Sequence, residues 1–337
     1  MAEREVVGRQ SQSRLQFMRY IYIFCAFIIL SCSEKKDKKF ILQTEKNIPT
    51  FNSDSAYLFV QKQVNFGPRV ISSKAWESCS EFLAKKLKSY NADVMIQKTQ
   101  ITTYDQRKHE LNNIIASYLP NLNNRIALFA HWDSRHIADH DTINQGAPIL
   151  GANDGGSGVA VLLEIARNLN IQKPNIGVDI ILFDAEDYGQ PENSIYPIMS
   201  NSWCLGSQYW SKNPHKKNYF AKYGILLDMV GAKGATFRYE GISNYYAPNI
   251  LEKVWAKAHE IGYSNYFLYQ KSAEIMDDHY YVNSIANIPT IDIIEFDPFT
   301  ETNFNKHWHT HQDNMQNISK ETLKAVGETV MHVIYSE

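Results

Sequence analysis

A chain of 337 residues with 44% hydrophobic residues is long enough to bury a substantial core and fits one large globular domain. Its 34 Lys and Arg are dispersed among 36 Asp and Glu, which leaves no basic face and excludes a nucleic-acid partner. Of the four cysteines, Cys25 and Cys32 fall in the N-terminal apolar region and its edge, and the remaining two, Cys79 and Cys204, make no disulfide framework.

In chain order, Met18-Arg19-Tyr20 leads into an apolar run from Ile21 to Leu30, too short to span a bilayer comfortably. The run stops at Ser31-Cys32 and is followed by a polar, Lys-rich stretch, the pattern of a secretion signal. Ile29-Leu30-Ser31-Cys32 resembles a bacterial lipobox, which predicts acylation of Cys32 and a lipid-anchored protein of the cell envelope facing the periplasm. Residues 1–17 are polar and charged, unlike the start of a signal, so Met18 is the expected first residue. Residues 33–52 read as a tether, and the catalytic domain is expected over 53–337.

A helix is predicted up to Val64 with Ser53 or Asp54 as its cap, and a second from Lys74 to Tyr90. Strands are predicted at Ala92 to Thr102, Leu111 to Tyr118, Arg125 to Ala130, Val178 to Phe183, Tyr223 to Met229 and Pro289 to Ile294. Helices fall at Gly158 to Leu169, Ser202 to Ser211, Pro248 to Ile261, just after Asp278, and Ile318 to Tyr335. This alternation predicts an α/β fold, a three-layer α/β/α sandwich around a mixed, mostly parallel sheet. Of the cysteines outside the signal region, Cys79 and Cys204 read as small buried apolar groups, not as a bridge or a nucleophile.

Three metal-seeking pieces fall at or just beyond strand ends or in a long loop: Asp154 in GANDGGSG, Glu186-Asp187 in FDAED, and His309 in KHWHTH. A catalytic zinc takes three protein ligands of nitrogen or oxygen type and keeps a fourth position open, and Asp154, Asp187 and His309 suit that set. Glu186, beside a ligand carboxylate, is placed to carry protons. His131 and Asp133 follow one strand, Asp228 closes another, and the loop from Glu295 to Asn314 brings His309 to the same edge of the sheet.

FGPR at 66–69, AHWDS at 130–134, GANDGGSG, FDAED, LLDMVGA, DDH and WHTHQDN occur in the order seen in glutaminyl-peptide cyclotransferases, and the chain resembles a bacterial member of that family from about residue 53 onward. The resemblance implies the α/β/α fold of the zinc aminopeptidase superfamily and Zn2+ held by Asp154, Asp187 and His309. It also implies Glu186 as general acid/base, and Asp228 and Asp277 as supporting carboxylates that hydrogen-bond with one another and position the substrate. Trp308 would wall the pocket. This chain departs from animal members in carrying Asp187 where they usually have Glu and Asp292 where they have His, and Trp203 is expected to replace their second pocket indole. The implied reaction converts N-terminal glutamine of a peptide or protein to pyroglutamate with loss of ammonia, in an enzyme expected to be monomeric. The competing reading is a two-zinc aminopeptidase in which His131 is an added ligand; a non-catalytic envelope lipoprotein is a third.

Overall fold

The computed structural model describes residues 48–337. The signal, Cys25, Cys32, the candidate start at Met18 and most of the tether lie outside the described residues. Phe51, inside the stretch read as tether, is buried and packs against Gly327.

Helix α1 (Ser53–Val64) is capped by Asn52, whose side chain accepts from the Ser55 N–H at 2.9 Å, so the cap lies one residue before the positions expected. Helix α2 (Lys74–Ser89) starts from Ser73, which accepts from the Trp76 N–H. Strands β1 (Asp93–Thr102) and β2 (Lys108–Tyr118) form a hairpin, followed by β3 (Arg125–His131), helix α3 (Gly156–Ile171), β4 (Gly177–Phe183) and α4 (Leu205–Lys212). Then come β5 (Gly224–Asp228), β6 (Phe237–Tyr239), α5 (Gly241–Tyr246), α6 (Pro248–Glu260), β7 (Phe267–Lys271), α7 (Asp278–Ser284), β8 (Thr290–Ile294) and α8 (Lys320–Ser336). The predicted elements are all present. Among the α-helices and strands of the described residues, three were not anticipated: β6 and β7, which pair with each other as a separate two-stranded sheet, and the short α5. Strand β6 has three residues and a register shift, and β7 is mostly exposed and polar, so neither shows the alternation that marks a strand.

The main sheet has the order β1-β2-β4-β3-β5-β8, with β4, β3, β5 and β8 parallel and the hairpin antiparallel at one side. Strands β3, β4, β5 and β8 are buried along their whole length, as parallel strands covered on both faces must be. Alternate residues serve opposite faces. Ile126, Leu128 and Ala130 of β3 join a core with α1, α2, α3, α6 and α8, whereas Ala127 and Phe129 meet Trp210 of α4 and Val282 of α7. The result is the expected three-layer α/β/α sandwich. Cys79 and Cys204 are buried and unbridged. Among the described residues no helix is long and apolar enough to cross a membrane.

The floor of the sheet is tied by a buried ion pair. Arg125 at the start of β3 reaches Asp179 of β4 through Nε and Nη2 at 2.5 and 2.6 Å, and Ser117 and Tyr219 donate to the same carboxylate. Burial works to raise the Asp179 pKa, but the hydrogen bond and charge of Arg125 outweigh it and hold the group below the usual range. The contribution to stability is therefore complete above the unfolded-state pKa of about 3.9 and is lost as pH falls through the lower folded-state value. Asp179→Asn, which strands the guanidinium, is expected to destabilise the protein by about 3–5 kcal/mol at neutral pH. Denaturant melts at neutral and acid pH check this: the gap between wild type and variant narrows on acidification, and a gap independent of pH refutes the assignment.

Candidate active site

Parallel strands end on one side of the sheet, and the loops leaving them carry the polar groups. His131 is the last residue of β3 and Asp228 the last of β5, and the turn after β4 carries Asp184 to Asp187. Asp184 is buried and shapes that turn by accepting from Trp76 Nε1 at 2.9 Å and from the Asn112 and Ala185 N–H groups. Asp133 completes it. Its two carboxylate oxygens accept from the N–H groups of Glu186 and Asp187, each at 3.1 Å, and Oδ1 lies 3.4 Å from His131 Nδ1.

The loop bearing Asp154 is held by two residues whose part was not legible in the sequence. Asp313 accepts from the N–H groups of Asn153 and Asp154 at 2.7 and 3.0 Å. Arg69 donates to the carbonyls of Trp132, Leu150 and Gly151. Gly155, with φ +79°, has no room for a side chain: a Cβ there would stand 2.5 Å from the Asp133 carbonyl oxygen and 2.9 Å from the His131 ring.

Asp154, Asp187 and His309 converge, each buried. His309 Nε2 stands 3.3 Å from Asp187 Oδ1 and 3.6 Å from Asp154 Oδ2. His131 Nε2 lies 3.0 Å from Asp154 Oδ1 and 3.1 Å from Asp228 Oδ1. Burial and then the charge of Asp187 push the Asp154 carboxyl up to about 7. Burial also opposes ionisation of Asp187, but the hydrogen bond and charge of His309 prevail and bring it to about 2. The donor set is imidazole and carboxylate, the separations are of the size imposed by a tetrahedral ion with bonds of about 2.0–2.2 Å, and Asp187 Oδ2 is buried without a hydrogen-bond partner. A crowd of buried carboxylates with an orphaned oxygen fits a dication, and these residues can hold zinc.

His309 is oriented from behind. Its Nδ1 lies 3.1 Å from Asp139 Oδ1, and Asp139 is bound through both oxygens by Arg135 at 3.1 and 2.5 Å. Arg135, fully buried, also donates to the carbonyls of Asp187 and Gly189 and lies 4.2 Å from the centre of the Trp203 ring. One guanidinium thus joins His309, the Asp187 turn and an indole. Neither Asp139 nor Arg135 was singled out in the sequence; DSRHIAD following a strand end was the available signal. His309 itself has φ +54°, a strained backbone for a non-glycine residue, and its ring stacks on Trp308 at 3.7 Å and faces Trp203 at 5.9 Å.

A cavity of about 400 Å³ opens in front of this group. Asp154, Glu186, Asp187, Asp228, Asp277, His309, Trp203 and Trp308 all line it, together with Met229, Ile275, Ile294, Phe296 and Phe304. All eight residues singled out as site candidates are therefore brought to one pocket. Burial raises the Glu186 carboxyl well above its ordinary range, against the opposing charge of His131. One expected contact is absent. Asp228 does not hydrogen-bond Asp277 but lies against His131 Nε2. Asp277 instead stands near Asp292 of β8 and His279, with polar atoms of the three within 4.8 Å of one another, and burial, then the charges of Asp277, Asp228 and Glu240, hold the Asp292 carboxyl well above the usual range. Asp292 thus stands near Asp277 at the position where the resemblance implies a histidine. Behind it, His279 lies 3.8 Å from Asp292 and 3.0 Å from Glu240.

The model of peptidase family M28 matches residues 113–334, a stretch that holds every candidate ligand and pocket residue above. The chain belongs to peptidase family M28. A glutaminyl-peptide cyclotransferase of Drosophila melanogaster is 25% identical over 273 residues, 73% of this chain and 71% of that protein. The structure of Tannerella forsythia glutaminyl cyclase is 51% identical with a TM-score of 0.84, covering 86% of this chain and 100% of that one. A Zn-dependent exopeptidase from Parabacteroides distasonis is 52% identical, again with a TM-score of 0.84 and the same coverage. The M28 match and these relatives agree with the resemblance drawn from the motifs, and the fold of this M28 chain superposes on both bacterial structures.

Proposed function

We propose that the protein is a zinc-dependent glutaminyl-peptide cyclotransferase that converts the N-terminal glutamine of peptides or proteins to pyroglutamate and ammonia. The observation that carries this reading is the convergence, in one apolar-walled pocket, of a three-ligand metal cluster, a carboxyl raised for proton transfer and two further carboxyl groups, in a chain about half identical to a bacterial glutaminyl cyclase.

Zinc bound by Asp154, Asp187 and His309 would polarise the γ-carbonyl of the glutamine. Glu186 takes a proton from the substrate's α-amine as that nitrogen bonds to the side-chain carbonyl carbon (Cδ), and returns one to the amide nitrogen as the old Cδ–N bond breaks and ammonia leaves. The carboxyl groups of Asp228 and Asp277 accept hydrogen bonds from the amine and the amide, folding one residue into the cyclising shape. Trp203, Trp308, Phe296 and Phe304 exclude the water that would hydrolyse the amide.

The second reading is a peptidase with two zinc ions. The approach of His131 Nε2 to both Asp154 and Asp228 is the feature that favours it, because those three groups would form the added metal site. Mass spectrometry of a glutamine-N-terminal peptide and its alanine twin, incubated with the zinc-loaded protein, separates the two. Loss of ammonia from the glutamine peptide alone, with one zinc per chain, is expected. Release of the first residue from either peptide, with two zinc ions, overturns the cyclase.

The proposal extends to location: a monomer anchored to the envelope through acylated Cys32 and working on the periplasmic side. Partition of the full chain into detergent, abolished by Cys32→Ser, is expected, and unaltered partition refutes the anchor.

A further inference from the structure

Cys204 precedes α4 with φ +56°, a conformation that L side chains rarely adopt, and is fully buried. Two hydrogen bonds join it to one residue. Its N–H donates to the Glu186 carbonyl at 3.0 Å, and its thiol donates to Glu186 Oε1 at 3.1 Å. The next residue continues the pattern, with the Leu205 N–H on the Ala185 carbonyl at 3.0 Å. The unusual turn at Cys204 is therefore fitted to the turn that carries Glu186, and it delivers a donor to one oxygen of the carboxyl group. Burial, and then the negative charge of Glu186, keep the thiol protonated, so it remains a donor. Among the described residues no other side chain donates a hydrogen bond to that carboxyl.

We propose that Cys204 is a positioning residue for proton transfer: its S–H holds Glu186 Oε1 and leaves Oε2 as the oxygen that takes and returns the proton. A carboxylate free to rotate offers either oxygen at varied angles, whereas one fixed on a single oxygen presents the other in a constant direction. The proposal rests on the cyclase reading, with Glu186 as the acid/base.

The test is steady-state cyclisation of a glutamine-N-terminal peptide by zinc-loaded wild type, Cys204→Ser and Cys204→Ala, with zinc content measured for each. Cys204→Ala is expected to lower kcat about tenfold, the weight of one hydrogen bond to a charged group, with KM unchanged. Cys204→Ser keeps a donor and is expected to recover to within about threefold of wild type. If Cys204→Ala fails to fold, Cys204→Gly removes the thiol in a conformation glycine adopts readily. Unchanged kcat in the Ala or Gly variant, or no recovery with Ser, overturns the proposal. So does a change in KM alone, which would make Cys204 a substrate contact. Loss of bound zinc overturns it in another way, since Cys204 Sγ, Glu186 and Asp277 offer ligand atoms within 4.8 Å of one another. A wild type that leaves the glutamine peptide intact refutes the cyclase reading itself.

Discussion

Glu186→Gln is expected to lower cyclisation of a glutamine-N-terminal peptide by about 10²–10⁴-fold, the usual weight of a positioned acid/base, while zinc content and melting temperature stay at wild-type values. The separation of effects follows from how Glu186 is held. Its backbone N–H is bound by Asp133 and its carbonyl by Cys204, so the turn persists without the side-chain charge. The proposed ligands Asp154, Asp187 and His309 do not depend on its carboxyl group. Gln is of the same size and removes only the capacity to carry a proton. Zinc analysis, a thermal melt and a kinetic assay on one preparation decide the matter. Turnover within a few-fold of wild type would sink the acid/base role, and loss of zinc would make Glu186 a ligand instead.

His309→Ala is expected to remove both metal and activity, because the imidazole faces the carboxylates of Asp187 and Asp154 at 3.3 and 3.6 Å. Asp139→Asn gives the graded counterpart. Asp139 stands 3.1 Å from Nδ1 of that imidazole, whose Nε2 faces the carboxylates, and Arg135 fixes Asp139 in turn. Loss of such an outer partner is expected to weaken zinc about 10–100-fold, leaving activity recoverable at raised metal concentration. Chelator competition measures both. Stoichiometric zinc in His309→Ala, or wild-type affinity in Asp139→Asn, would contradict the assignment.

How much of this was legible beforehand differs by residue. The strands of the main sheet could be read because parallel strands buried on both faces are continuous apolar runs, as in Val178 to Phe183. Strands β6 and β7 could not, because their pairing is made by the tertiary fold rather than by their own pattern. Asp154, Glu186, Asp187 and His309 were legible because their residue types and their places at strand ends already limit what they can do. Arg135, Asp139 and Asp313 were not: a charged residue in a loop reads as solvated until the fold buries it.

The sequence by itself determined the layered α/β/α architecture, through the period of its apolar residues, and the set of groups able to bind a metal and move a proton, through their chemistry. Only the tertiary structure decided which carboxyl groups meet. It set Asp228 against His131, placed Asp277 near Asp292, and brought Cys204 onto Glu186 across 18 positions of chain. The reason is one of scale. Secondary structure follows from interactions among near neighbours in the chain, whereas a hydrogen bond of about 3 Å depends on how whole elements pack.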